Sequence, residues 1–321
     1  MTNPAAILKM DAVNAIRPGL IWPDDRGRQI QAHGGGIVRV GGTWYWFGED
    51  RSRDNDPAKR YVACYSSTDL SRWTFRNQVL ALGDPEGFGP DWVLERPKVF
   101  PCAKTGKFVM YLHVDGCSEA GSYGIARVGV ATCDTIAGDY QYLRSFRPLG
   151  MESRDIGQFI DDDGIPYLIF ESRPTNGFVI AALSEDCLDV ARAACLIRAP
   201  LEGGAIVRYD GLYYVIGSAL TGWWPNANKY ATAERLEGPW SEFRDFAPPH
   251  THTYLSQSTN LIKVTGSAAT TVIYAGDQWR PDEHWDSRYL WMPLRIGGGN
   301  LWLPDPAPWC IDVRTGETSP A

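Results

Sequence analysis

Hydrophobic positions along the chain fall in short runs of four to eight residues rich in Val, Ile, Tyr, Phe and Trp, with few stretches at helical spacing. One pattern recurs: a short apolar strand, a glycine-bearing turn, then a second strand carrying aromatics. It appears as Ile37-Val38-Arg39-Val40, Gly41-Gly42 and Trp44-Tyr45-Trp46-Phe47, and again as Lys98-Val99-Phe100, Gly106 and Phe108-Val109-Met110-Tyr111. Further copies are Gln158-Phe159-Ile160, Gly164 and Tyr167-Leu168-Ile169-Phe170, and Ala205-Ile206-Val207, Gly211 and Tyr213-Tyr214-Val215-Ile216. The fifth is Leu261-Ile262-Lys263-Val264, Gly266 and Thr271-Val272-Ile273-Tyr274.

The turn glycines 42, 106, 164, 211 and 266 are spaced by 64, 58, 47 and 55 residues, a loose period close to one propeller blade. Five copies predict an all-β fold, a single five-bladed β-propeller. The blades are expected at about 31–80, 95–148, 155–200, 202–248 and 257–296, with 297–321 as a closing tail. Secondary motifs such as Ser66-Ser67-Thr68-Asp69-Leu70 before Trp73, and Leu236-Glu237-Gly238-Pro239-Trp240, read as outer strands with an aromatic wedged between sheets. Radial repetition hides sheet edges and brings the first strand of every blade to a common axis. A β-sandwich is the competing architecture, but no Pro-, Gly- or Ser-rich linker divides the chain.

Charge and composition narrow the partners. A net charge of −7 argues against a phosphate-tracking surface, and no apolar run is long enough for a membrane helix, so neither nucleic acid nor membrane is an expected partner. Residues 1–20 lack the features of a secretory signal, which predicts a cytoplasmic protein as written, or a secreted one if a signal has been removed. The seven cysteines form no Cys-x-x-Cys pair, the five histidines form no metalloprotease motif, and Asp161-Asp162-Asp163 lacks calcium-loop spacing. No cofactor and no metal are therefore expected.

His33-Gly34-Gly35-Gly36 looks like a lipase oxyanion loop, but no Gly-x-Ser-x-Gly accompanies it, so it reads as close backbone approach near the axis. Carboxylates at blade starts carry more information, because innermost strands converge there. Glu95, Asp155 and Glu202 stand at such starts, and Glu49-Asp50 follows the second strand of the first blade. Glycoside cleavage needs a protonated carboxylic acid, and neighbouring acids repel one another enough to retain a proton at neutral pH. Trp44, Trp46, Trp73 and Trp240 read as packing residues. Trp223-Trp224 and Trp279 lie in loops where a ring can stack on a sugar.

The string Gln31-Ala32-His33-Gly34-Gly35-Gly36, then Trp44-Tyr45-Trp46-Phe47-Gly48-Glu49-Asp50 and Glu95-Arg96-Pro97-Lys98-Val99, resembles glycoside hydrolase family 43, in its exo-β-1,3-galactanase branch. The resemblance runs in order through Tyr123-Gly124, Ser153-Arg154-Asp155, Leu201-Glu202, Gly222-Trp223, Pro225-Asn226, Ser256-Gln257 and Trp279-Arg280-Pro281, over about residues 25–295. It implies an inverting, exo-acting hydrolase of an oligo- or polysaccharide, with β-1,3-galactan the leading substrate. An α-L-arabinofuranosidase, a β-xylosidase and a non-catalytic sugar-binding propeller are the alternatives. By resemblance Glu202 is the general acid and Asp155 the residue that tunes it. No carboxylate stands where most of the family keeps its base. Gln257 is expected to orient the attacking water, its carbonyl oxygen accepting one hydrogen bond and its amide donating another, with Glu95 supporting the sugar or receiving the proton through water. Glu49, Arg96, Tyr123, Trp223, Asn226 and Trp279 are the expected substrate contacts.

Overall fold

Four of the five turn glycines adopt the left-handed backbone that tight strand connections require: φ is +86° at Gly42, +70° at Gly106, +84° at Gly164 and +78° at Gly211. Gly266 serves a different purpose. A Cβ there would lie 2.1 Å from the backbone of Thr315 and Gly316, so this glycine admits the C-terminal segment against the fifth sheet.

The computed structural model describes residues 14–118 and 121–321. Segment 1–13, which carries most of the reading on export, lies outside the described residues. The first sheet comprises β1 (His33–Val40), β2 (Thr43–Glu49), β3 (Arg60–Ser67) and β4 (Thr74–Leu82). The second comprises β5 (Val93–Pro101), β6 (Phe108–Asp115), β7 (Arg127–Cys133) and β8 (Gln141–Phe146). The third comprises β9 (Ile156–Ile160), β10 (Pro166–Ser172), β11 (Gly177–Leu183) and β12 (Val190–Arg198). The fourth comprises β13 (Leu201–Tyr209), β14 (Leu212–Ala219), β15 (Lys229–Ala233) and β16 (Arg244–Asp245). The fifth has β17 (Gln257–Thr265), β18 (Thr270–Gln278) and β19 (Arg288–Pro293).

Strands within each sheet are antiparallel and follow chain order from the axis outward. Neighbouring first strands pack around the ring, β1 on β5, β5 on β9, β9 on β13, β13 on β17 and β17 on β1. The fold is a five-bladed propeller.

Each sheet is buried on both faces, which is why its strands read as continuous apolar runs rather than alternating ones. Phe47, Val62, Leu94 and Met110 join the first two blades, and Tyr111, Phe170 and Val179 the next two. Ile169, Phe178 and Val215 join the third to the fourth. Trp46, Trp73 and Trp291, packed edge to face, close the ring between the last blade and the first.

The tail is more elaborate than a closing strand. It forms two hairpins, β20 (Arg295–Gly297) with β21 (Asn300–Trp302), and β22 (Trp309–Asp312) with β23 (Glu317–Pro320). Trp309 exchanges backbone hydrogen bonds of 2.8 and 3.1 Å with Ile16, and the Gly19 amide donates to Tyr289 O on β19 at 2.8 Å. Segments from opposite regions of the chain thus meet beside the three-stranded fifth blade.

What shapes the axial end is a β-bulge just inside the start of the first strand. Pairing slips between His33 and Gly36, Glu95 and Lys98, Glu202 and Ala205, and Ser258 and Asn260. In three blades the bulged residue is left-handed, Gly34 at φ +57°, Arg96 at +49° and Gly203 at +63°. The glycine run does permit close approach: a Cβ on Gly35 would lie 2.6 Å from Phe47 O, and one on Gly36 2.9 Å from Pro97 O. Lys98, buried at the axis, donates from Nζ to Gly34 O and Gly35 O at 2.6 and 2.8 Å. At Gly203 a Cβ would meet Ser258 O at 2.8 Å on a left-handed backbone. Gly203→Ala is therefore expected to cost about 1–3 kcal/mol in urea unfolding, and an unchanged midpoint would contradict this account of the bulge.

Candidate active site

Near the axial start of each innermost strand, bulged in four of the five blades, one residue sits opposite a polar residue close to the end of the second strand. The pairs are His33 with Glu49, Glu95 with His113, Asp155 with Glu171, Glu202 with Ser218, and Gln257 with Asp277. Of these, Glu49, Glu95, His113, Asp155, Glu171, Glu202 and Gln257 border a cavity of about 210 Å³, room for a single monosaccharide. Glu49, Glu95, Arg96, Tyr123, Asp155, Glu202, Trp223, Gln257 and Trp279 all line it.

Arg96 is the hub. Nε pairs with Asp155 Oδ2 at 2.8 Å, Nη2 donates to Gln257 Oε1 at 2.7 Å and Nη1 to Ser258 O at 3.1 Å, while its backbone N–H donates to Glu49 Oε1 at 3.0 Å. One buried arginine of the second blade thereby holds residues from three other blades.

Glu202 is 6 % exposed, and burial first, then the negative charges of Asp155 and Glu171, push its carboxyl up to about 9. Arg96 and Arg173 oppose the rise without reversing it. Glu202 is consequently protonated at neutral pH. Its Oε1 accepts a hydrogen bond from Gln257 Nε2 at 3.0 Å, which leaves the acidic hydrogen to Oε2, 3.6 Å from Arg173.

Gln257 is oriented without ambiguity, since Oε1 receives both Arg96 Nη2 and Trp279 Nε1 (2.8 Å), and two donors cannot face an amide nitrogen. Of the two groups expected to hold the water, the carbonyl oxygen is therefore occupied in both lone-pair directions by protein donors, which leaves only the amide N–H available. Glu95 is also a poor proton acceptor. Burial would raise its carboxyl, but the hydrogen bond and charge of His113, aided by Arg51 and Tyr123, hold it down at about 2. It is a permanent carboxylate suited to accepting sugar hydroxyls. Glu49 is raised, by burial first and by the charge of Glu95, with Arg51 bonded to it as a counterion.

Asn226 does not line the cavity. Its side chain is spent on its own loop, accepting from Ala219 N at 3.0 Å and donating to Ser218 Oγ, Ala219 O and Thr221 Oγ1 at 3.1, 3.1 and 2.8 Å. That staple holds the turn presenting Trp223, which packs edge-on against Trp279 at 4.8 Å. Trp224 points outward, 72 % exposed.

Lining residues not singled out from the sequence are His113, Arg154, Glu171 and Arg173. A signal for two of them was present: each apolar second strand ends on a polar residue, as in Leu112-His113 and Phe170-Glu171. Glu95, His113 and Asp155 bring donor atoms within 4.8 Å of one another. His113 lies 3.2 Å from Glu95 and 3.1 Å from Asp115, and Asp155 pairs with Arg96 at 2.8 Å, so each of the three already has an ionic partner.

The family model for glycosyl hydrolases family 43 matches residues 32–280. The exo-β-1,3-galactanase of Phanerochaete chrysosporium, solved with β-1,3-galactotriose, is 39% identical with a TM-score of 0.86, over 96% of this chain and 71% of that one. The exo-β-1,3-galactanase of Clostridium thermocellum is 34% identical with a TM-score of 0.85, over 96% and 69%. A family 43 β-1,3-galactosidase solved with galactodeoxynojirimycin is 32% identical with a TM-score of 0.78, over 90% and 98%. A search of curated proteins found no match. With the matched model spanning all five first strands, this chain belongs to glycosyl hydrolases family 43.

Proposed function

We propose that the protein is an exo-acting, inverting hydrolase that releases galactose from the end of β-1,3-galactan. The observation that carries this reading is the protonated Glu202 held beside Asp155 and Arg96 in a cavity that admits one sugar ring. The solved galactanases, similar over nearly the whole chain, support the sugar and the linkage.

In this reading the terminal galactose sits against the wall made by Trp223 and Trp279, with its hydroxyls on Glu95, Glu49 and Tyr123. Glu202 Oε2 delivers its proton to the glycosidic oxygen as the bond breaks. Water attacks from the opposite face of the ring, gives the inverted sugar and passes its surplus proton to solvent, from which Glu202 is reprotonated. Asp155, pinned on Arg96, supplies the negative charge that keeps Glu202 protonated between turnovers.

The test is a panel of β-1,3-galactan, β-1,3-galactotriose, an aryl arabinofuranoside and an aryl xyloside, with the first-formed sugar followed by proton NMR. Galactose released from galactan as the α-anomer is expected. Cleavage of only the arabinofuranoside or xyloside, or first release of β-galactose, would overturn the assignment.

A further inference from the structure

Two buried residues of the second blade take no part in the chemistry above, yet the site leans on both. Asp115 is fully buried, and its Oδ1 accepts the backbone N–H groups of Gly116, Ile125 and Ala126 at 2.9, 2.8 and 3.0 Å. Those bonds cinch the loop that follows β6, and Tyr123 stands on that loop at φ +58°. Asp115 Oδ2 meets His113 Nε2 at 3.1 Å. On the far side of the ring, Nδ1 lies 3.2 Å from Glu95 Oε2, and Tyr123 donates its hydroxyl to Glu95 Oε1 at 3.0 Å. Both groups that hold Glu95 from its own blade therefore hang from one carboxylate.

We propose that Asp115 and His113 form a positioning pair that fixes the orientation and the charge of Glu95 at the sugar site. An imidazole between two carboxylates donates from both nitrogens only as the cation, and that cation is the counterion Glu95 needs once stripped of water. Burial would pull the His113 ring down, but its bonds to Asp115 and Glu95 raise it to about 10. The other charged and titratable groups facing Glu95 are Arg51 at 3.6 Å, the neighbouring carboxyl of Glu49, and Asp155. Arg51 is shared with Glu49, so His113 is the cation Glu95 does not divide with a residue of the first blade. The role assigned to Glu95, accepting sugar hydroxyls, rests on the galactanase reading; the state of His113 does not.

The pair is tested with Asp115→Asn. An asparagine oxygen still accepts the three loop N–H groups, but its amide cannot accept from His113, so the ring loses its charge while the loop stays tied. The acid limb of kcat/KM on β-1,3-galactotriose should then move up by about 1–3 pH units as Glu95 protonates within the working range, with the loss appearing mainly in KM. In spectra of the 15N-histidine-labelled wild type, one ring should keep both N–H protons beyond pH 8, and Asp115→Asn should abolish that signal. His113→Gln, which can donate to Glu95 without carrying charge, should move the acid limb in the same direction and carries the test if Asp115→Asn does not fold. A folded variant with an unmoved acid limb, or a wild-type His113 titrating like a free histidine, overturns the proposal. A wild type inactive on galactotriose would instead sink the substrate reading, and the histidine spectra would still decide the pair.

Discussion

Glu202→Gln is expected to lose on the order of a hundred- to ten-thousand-fold in turnover on galactan while keeping the fold. The amide preserves the shape and the contact with Gln257 but has no proton to deliver. A dinitrophenyl β-galactoside, whose leaving group needs no protonation, should be hydrolysed with a much smaller loss. The same substitution should stabilise the protein. In the folded state Glu202 keeps its proton up to about 9, whereas in the unfolded chain it ionises near the ordinary value of 4.5. Between those values the folded form binds one proton more, so wild-type stability falls as pH rises across the window. The amide of the Glu202→Gln variant does not titrate, and the gap in Tm should widen from about pH 4.5 toward about pH 9. A variant no more stable than wild type at pH 8 would mean that Glu202 is ionised in the resting enzyme, and full turnover on galactan would remove it as the acid.

Arg96 should produce the largest loss of stability. Arg96→Ala leaves Asp155, the Gln257 carbonyl and Ser258 O without their shared donor in a buried site, a change expected to cost about 3–5 kcal/mol. Its backbone adds a second, separable effect. At φ +49° a residue with a Cβ is strained, so Arg96→Gly should be more stable than Arg96→Ala by about 1 kcal/mol although both lack the side chain. Urea unfolding of the two variants reads the difference. Equal stabilities would show that the bulge relaxes when the guanidinium is removed. Neither variant should retain useful activity, because Gln257 and Asp155 lose the contact that aims them.

The architecture was legible because a propeller repeats its needs. Every blade requires a tight turn between its first two strands, and Gly42, Gly106, Gly164 and Gly211 meet that need identically. Glu95, Asp155, Glu202 and Gln257 were legible as one cluster because a strand start near the axis has only one place to point. What stayed hidden depends on pairing across strands. His113 and Glu171 end second strands, and only the register with Glu95 and Asp155 places them in the site. Asn226 misled for the converse reason: a polar residue beside Trp223 looks like a sugar contact until the backbone groups of its own loop claim it. The direction of the Gln257 amide was likewise invisible, being set by Arg96 and Trp279 from 161 and 22 residues away.

The meeting of Ile16 and Gly19 with Trp309 and Tyr289 has a consequence for how the molecule is made. Gln257 belongs to the blade that this junction seals, while its partners Arg96 and Glu202 sit on blades synthesised earlier. On the ribosome the first four blades can collapse against one another as they emerge, but the ring stays open until the fifth blade, with β17 and Trp291, has cleared the exit tunnel. Until then the acid has no amide beside it and Arg96 has no glutamine to bind. Such late, long-range closure is the kind of step that makes β-rich chains slow to fold and exposes their sheet edges in the interval. The cavity is therefore completed only with the fifth blade, and a nascent chain stalled short of Gln257 is expected to hold most of the propeller without a finished site.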